Sequence, residues 1–166
     1  ASVGGEADPL RILIVDDDLS ALSLLEKHLT TTGYRVLTAT NGVEALEIDH
    51  VRAPQMIITD WDMPEMTGLD LCRRLRGHEG AGFVYVIMVT ANAEKDRVVE
   101  ALEAGADDFL TKPYNRQELL ARVRAGQRIV RLDANLAERS REIAHFNAQL
   151  TTVNDQLRTM ATNDEL

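Results

Sequence analysis

Asp60 closes the run Met56-Ile57-Ile58-Thr59-Asp60-Trp61-Asp62-Met63-Pro64, an apolar stretch that ends in an acid and then a Pro-bearing loop. A carboxylate at the end of a buried strand is unfavourable unless it has a partner or a task. The chain offers partners. The acidic run Asp16-Asp17-Asp18 follows Ile12-Leu13-Ile14-Val15, Thr90 follows Val86-Ile87-Met88-Val89, and Lys112-Pro113 comes soon after Phe109-Leu110. Carboxylates gathered in one place repel, and their pKa values rise unless a cation intervenes. Mg2+ suits such oxygen ligands, keeps several waters, and is often held by one or two carboxylates plus phosphate oxygens. Asp17 and Asp60 are the expected direct ligands, with Asp16 as a second ligand or acting through water. The Asp62 backbone carbonyl is the expected third protein oxygen. Asp60 is also the expected nucleophile, accepting a phosphoryl group whose charge the metal offsets. Lys112 would pair with that group as a point charge, and Thr90 would donate a hydroxyl hydrogen bond to it.

Each of these residues alone has a plainer explanation. Asp16-Asp17-Asp18 in isolation reads as a helix cap with solvated neighbours, and Asp18 is the expected cap. Lys112 alone is an ordinary surface lysine. Trp61 reads as a partly exposed loop residue, and Tyr85 and Met88 as core or sheet face. His28, His50, His78 and His145 have no ligand spacing and are expected at the surface. It is the four polar strand ends together that packing does not explain.

The elements that must position them alternate. Leu10 to Val15 reads as a buried strand, after which Leu22, Leu25 and Leu29 fall at helical spacing before Gly33. Tyr34 to Ala39 is a second strand, and Asn41-Gly42 opens a helix that must end before Pro54. Met56 to Thr59 is the third strand, Gly68 to His78 a helix, and Phe83 to Val89 the fourth strand. Asp96 to Ala104 is a helix ending at Gly105, and Asp108 to Thr111 a short fifth strand. A fifth helix starts near Asn115. Such alternation with unbroken apolar strands implies an α/β fold, a doubly wound parallel sheet in the order 2-1-3-4-5. Ligands of such sheets sit outside the carboxyl ends of the strands, where Asp16, Asp17, Asp60, Thr90 and Lys112 all fall.

After Arg124 the pattern changes. Ile129, Leu136, Ile143, Leu150 and Leu157 recur every seventh residue, and Leu132, Arg139, Phe146, Val153 and Met160 form a second series offset by three. This is a heptad seam, apolar except at Arg139. It predicts a rod of roughly 50 Å at about 1.5 Å per residue. So narrow a stripe needs a partner helix, and a second copy of the chain in a parallel dimer is the simplest one. The expected organisation is a loose tail over 1–9, an α/β domain over 10–124, a coiled-coil linker over 125–162 and the start of an output domain at 163–166.

The 166 residues carry a formal net charge of −9, which argues against non-specific nucleic-acid binding. The single cysteine, Cys72, cannot form an intramolecular disulfide and is expected to be buried and structural in a reducing compartment. No apolar run is long enough to span a bilayer, and Ala1 to Pro9 lacks a signal pattern. A cytoplasmic location without a membrane partner is expected.

The ordered set resembles the receiver domain of two-component response regulators over Leu10 to Arg124. The resemblance rests on Asp16-Asp17, on Asp60-Trp61-Asp62-Met63-Pro64-Glu65-Met66-Thr67-Gly68, on Thr90-Ala91 and on Lys112-Pro113-Tyr114. It implies that a phosphohistidine of a sensor histidine kinase or phosphotransfer protein donates to Asp60. It implies a switch pair of Thr90 and Phe109, the ring turning inward as the hydroxyl moves to the phosphoryl group. A homodimer whose face around the fourth and fifth helices repacks on phosphorylation is also expected. The family often has Tyr where this chain has Phe109. Asp62 and Asn92 occupy positions that tune phosphoryl lifetime in the family, and Pro113 is cis there. Asn163-Asp164-Glu165-Leu166, following the heptads, resembles the opening of a diguanylate cyclase (GGDEF) domain, which implies an output in cyclic di-GMP signalling.

Two other readings compete. Asp60-x-Asp62 after a strand is also how haloacid-dehalogenase-type phosphatases place a nucleophile and an acid, although Pro64, the upstream acidic pair and the lack of a later paired-acid motif count against it. The other is an inert receiver-like head on a coiled-coil scaffold. A phosphatase assay with an Asp62→Ala control separates the first from the receiver reading: no robust turnover is expected, and turnover lost with Asp62 would favour the phosphatase.

Overall fold

The computed structural model describes residues 8–77, 82–92 and 94–163. Five strands alternate with five helices: β1 (Arg11–Val15), α1 (Leu19–Thr31), β2 (Arg35–Ala39), α2 (Gly42–Arg52), β3 (Met56–Asp60), α3 (Gly68–Arg76), β4 (Tyr85–Thr90), α4 (Lys95–Glu103), β5 (Asp108–Thr111) and α5 (Arg116–Asn163). The strands form one parallel sheet in the order β2-β1-β3-β4-β5, as the alternation predicts.

Side chains alternate across a strand, so each strand feeds two cores. Leu13, Val15, Ile57, Val86 and Met88 point to one face, under Leu69, Leu71, Cys72 and Leu75 of α3 and Ala101 of α4. Ile12, Ile14, Ile58, Ile87 and Val89 point to the other, under Leu22, Leu25 and Leu29 of α1 and Leu119, Leu120 and Val123 of α5. Tyr85 and Met88 are core residues and Cys72 is buried. Among the described histidines, His50 and His145 are exposed and His28 is half-buried; His78 lies outside the described residues.

Several boundaries differ from expectation for identifiable reasons. β4 starts at Tyr85 rather than Phe83, because pairing begins where β3 begins, with Met56 opposite Tyr85. β3 includes Asp60, which is paired with Val89. α3 stops at Arg76, short of His78. The Arg76 guanidinium donates to the carbonyls of Val84 and Gly105 and pairs with Asp107 at 2.7 Å, tying the helix end to the β4 and β5 entries. α4 begins one residue earlier than expected, with Ala104 as its C-cap and Gly105 in the left-handed region.

The chain divides into two compact units, one ending at Val130 and the other beginning at Arg131. Within the first, Gly126 of α5 is buried, and a Cβ there would press on Met56 and the Tyr85 ring. Glycine permits that close approach of helix to sheet. In the second unit the described residues are helical. Leu132, Leu136, Ile143, Phe146, Leu150, Val153, Leu157 and Met160 are each between 48 % and 66 % exposed. Asp164, Glu165 and Leu166 of the expected output-domain start lie outside the described residues.

Gly126→Val should overpack the helix–sheet contact. Chemical denaturation is expected to show a loss of about 1–3 kcal/mol, with the denaturant slope unchanged.

Candidate functional site

Strand register brings the site together. Val15 pairs with Thr59, Asp60 with Val89, and Thr90 with Thr111, so the carboxyl ends of β1, β3, β4 and β5 finish on one edge. Just beyond β1 the acidic triplet divides its labour. Asp18 caps α1, its Oδ1 accepting from the Ser20 and Ala21 amides at 2.9 and 3.3 Å. Asp16 is buried and its Oδ1 accepts from the Asp18 amide at 2.9 Å. Asp17 is exposed. The loop after β3 is pinned by the Trp61 amide donating to Val89 and the Gly68 amide donating to Trp61. Gly68 must be glycine here, because a Cβ would collide with the Asp60 carbonyl oxygen.

Asp16, Asp17 and Asp60 each offer a carboxylate oxygen, all within 4.8 Å of one another. Lys112 enters from the β5 end. Its Nζ lies 3.3 Å from Asp60 Oδ1 and 3.5 Å from Asp16 Oδ2. The Lys112 amide donates to the Thr90 carbonyl at 2.7 Å, and the Lys112–Pro113 bond is cis. Burial raises the Asp60 pKa above the ordinary carboxylate value; Lys112 pulls it down and Asp16 pushes it further up. Burial works against the Lys112 charge, but the Asp60 and Asp16 carboxylates outweigh it and hold that pKa above the ordinary lysine value. One ammonium among three carboxylates leaves a deficit of positive charge at an all-oxygen donor set. That chemistry fits a hard divalent cation.

Thr90 is fully buried at the end of β4, and Phe109 is half-buried on β5, opposite Met88. The Thr90 Oγ1 accepts from the Asn92 amide at 3.2 Å. The Asp62 carboxylate turns to Arg97 of α4, with a closest approach of 3.4 Å. Trp61 is buried, only 5 % exposed, and not the partly exposed loop residue expected. The Arg97 guanidinium covers its ring, 4.8 Å from the centroid, and the indole otherwise packs into the core beside Met63 and Met66. Sequence reasoning passed over Arg97. Its one signal was a cation in a first helical turn, where the helix dipole disfavours it.

Residues 12–124 match the family model described as the response regulator receiver domain. The chain belongs to that family. It is 40 % identical over 114 residues to the phosphate regulon transcriptional regulatory protein PhoB of Pseudomonas aeruginosa, covering 69 % of this chain and 50 % of that protein. It is 37 % identical over 139 residues to the transcriptional regulatory protein KdpE of Mycobacterium tuberculosis, covering 84 % and 60 %. The chain thus spans about half the length of the curated relatives it matches. The solved chemotaxis protein CheY4 of Vibrio cholerae superposes with a TM-score of 0.67 at 31 % identity, covering 70 % of this chain and 98 % of that one. Receiver domains are phosphorylatable signalling modules, not enzymes, that work with histidine kinases or phosphotransfer proteins and bind Mg2+ at an acidic pocket. No helix among the described residues of this receiver chain is long and apolar enough to cross a membrane.

The shifted Asp60 pKa has a consequence for stability. Because the folded value lies above the unfolded one, the folded state holds the extra proton between the two, and stability falls as pH rises through that window. Lys112 is the converse for a base: its contribution is present below the unfolded lysine value and lost as pH rises through the raised folded one. At pH 7 without Mg2+, Asp60→Asn is therefore expected to melt above the wild type in differential scanning calorimetry. Added Mg2+ should raise the wild type more than the variant.

Proposed function

We propose that Asp60 is the phosphoacceptor of a Mg2+-dependent response regulator whose input is a sensor histidine kinase or phosphotransfer protein in the cytoplasm. The observation that carries this reading is the cluster of Asp16, Asp17 and Asp60 with Lys112 reaching two of them. Mg2+ would be held by Asp17, Asp60 and the Asp62 backbone carbonyl, with Asp16 as a further ligand or bonded through water. When bound, it supplies positive charge to offset that of the incoming phosphoryl oxygens. An Asp60 carboxylate oxygen attacks the phosphorus of the phosphohistidine. The O–P bond forms, the P–N bond breaks, and the imidazole leaves with the electron pair. Lys112 exchanges its contact with Asp60 for the phosphoryl group, and the Thr90 hydroxyl donates to it. Phe109 turns inward as that hydroxyl moves. The Asp62 carboxylate is engaged with Arg97, which speaks against its use as the general acid of a phosphatase. The complete acidic and basic cluster likewise speaks against an inert scaffold.

The receiver over 10–124 passes this change to the helix that follows. The exposed seam of Ile129, Leu132, Leu136, Ile143, Phe146, Leu150, Val153, Leu157 and Met160 pairs with the same seam of a second copy. Exposed Val99 and Leu102 on α4 support a second contact through the α4 and α5 face. Phosphorylation shifts the arrangement of the dimer by a coupling of about 1–3 kcal/mol. The resemblance of residues 163–166 to a diguanylate cyclase opening favours a cyclase output. The names of PhoB and KdpE favour a transcription-regulating output instead. A reading frame that continues past Leu166 into a cyclase domain is the result expected.

Light scattering with and without Mg2+ and beryllofluoride, on the wild type and Asp60→Asn, tests the switch. The wild type should change in mass or in shape, and Asp60→Asn should not. An unchanged wild type would count against it. Replacing Ile143 and Leu150 together by Lys should leave monomers in both conditions.

A further inference from the structure

Arg97 is the least expected side chain at this site. It sits in the first turn of α4, a helix whose N-cap, Glu94, makes no side-chain capping bond. A cation in that turn works against the helix dipole, so its placement is not explained by the stability of α4. The side chain is spent on three other groups. Its Cζ lies over the Trp61 ring at 4.8 Å from the centroid, and Nη1 and Nη2 each lie 3.4 Å from an oxygen of Asp62. Nη1 also donates to Thr90 Oγ1 at 3.1 Å. The Asn92 amide donates to the same oxygen at 3.2 Å. A hydroxyl oxygen has two lone pairs. Both are therefore engaged, and a wholly buried hydroxyl is tied between the start of α4 and its own loop.

A bare Arg–Asp pair at the surface would be the plainer description, and such pairs contribute little. It accounts for the contact with the half-exposed Asp62. It does not account for the bond to Thr90, or for the guanidinium placed over an indole that itself follows the phosphoacceptor in the chain.

We infer that Arg97 is a positioning residue, a clasp that holds the Thr90 hydroxyl in its resting place and is released when that hydroxyl turns to a phosphoryl group on Asp60. The inference rests on the phosphoacceptor reading of Asp60 and Thr90 and adds the restraint that the switch must break. Release also frees the first turn of α4 from Trp61 and Asp62, so the same event that reorients Thr90 loosens the helix whose outer face carries Val99 and Leu102.

Calorimetric titration of beryllofluoride at saturating Mg2+ tests the clasp on the wild type, Arg97→Ala, Arg97→Lys, and both Thr90→Ala and the Thr90→Ala/Arg97→Ala pair. A state restrained by the clasp binds the phosphoryl analogue with an affinity reduced by the fraction restrained. Arg97→Ala should therefore bind about three- to tenfold more tightly, the range expected for a modest ion pair plus a cation–π contact. Simple removal of a nearby cation has the opposite sign, because it weakens an anion. Arg97→Lys keeps the charge but loses the fork that reaches Asp62 and Thr90 together, and should follow Arg97→Ala. In the Thr90→Ala background the gain should vanish. Unchanged or weaker binding by Arg97→Ala and Arg97→Lys would overturn the clasp, as would a gain that persists without the Thr90 hydroxyl. Wild-type protein that binds Mg2+ but no beryllofluoride would instead overturn the phosphoacceptor reading, and the clasp with it.

Discussion

Negative charge held at the edge of a parallel sheet is the constraint on which this structure turns. Asp16, Asp17 and Asp60 stand within 4.8 Å of one another with one ammonium, Lys112, between two of them. Burial works against the ionised form of Asp60 and raises its pKa. The arrangement is tolerable only because positive charge can be brought to it, first by Lys112 and then by a cation. A site built this way is not at rest in isolation. Its electrostatic imbalance suits the acidic Mg2+ pocket of a receiver domain and ties the position of Lys112 to the charge on Asp60.

The scaffold answers that constraint with close packing. Gly68 lets the loop after β3 pass against the Asp60 carbonyl, and Gly126 lets α5 lie on Met56 and Tyr85. The backbone around the carboxylates is tied by the Trp61, Gly68 and Lys112 amides, each bonded to a carbonyl across the loop or the neighbouring strand. Polar groups facing the site are thus held by atoms that face away from it, so small displacements of Thr90 or Lys112 are not absorbed locally.

Much of this was legible in the amino-acid sequence. The five apolar runs and their polar ends placed Asp16, Asp17, Asp60, Thr90 and Lys112 on one edge because strand periodicity and βα alternation are local signals. Asp18 was legible as a cap for the same reason. Trp61 was misjudged because loop membership suggests exposure, whereas the turn after β3 folds the indole back among Met63 and Met66. The start of β4 was misplaced because pairing with β3, and not the onset of apolar residues, decides where a strand begins. Arg97 leaves only a faint trace in the sequence, a cation in a first helical turn, because its partners Asp62 and Thr90 are brought near only by tertiary structure.

The strand register has a further consequence, for the rate of folding. Val15 pairs with Thr59, and Asp60 with Val89, across long stretches of intervening chain that hold helices. Such non-local pairings slow folding, since the entropy of closing the intervening loops must be lost before any contact rewards it. Lys112 comes last along the chain, just after β5, so no fragment that stops short of it contains the site. A cation that binds the finished cluster and not the unfolded chain draws the population toward the completed sheet. For this chain, binding of such a cation and completion of the sheet would be linked equilibria.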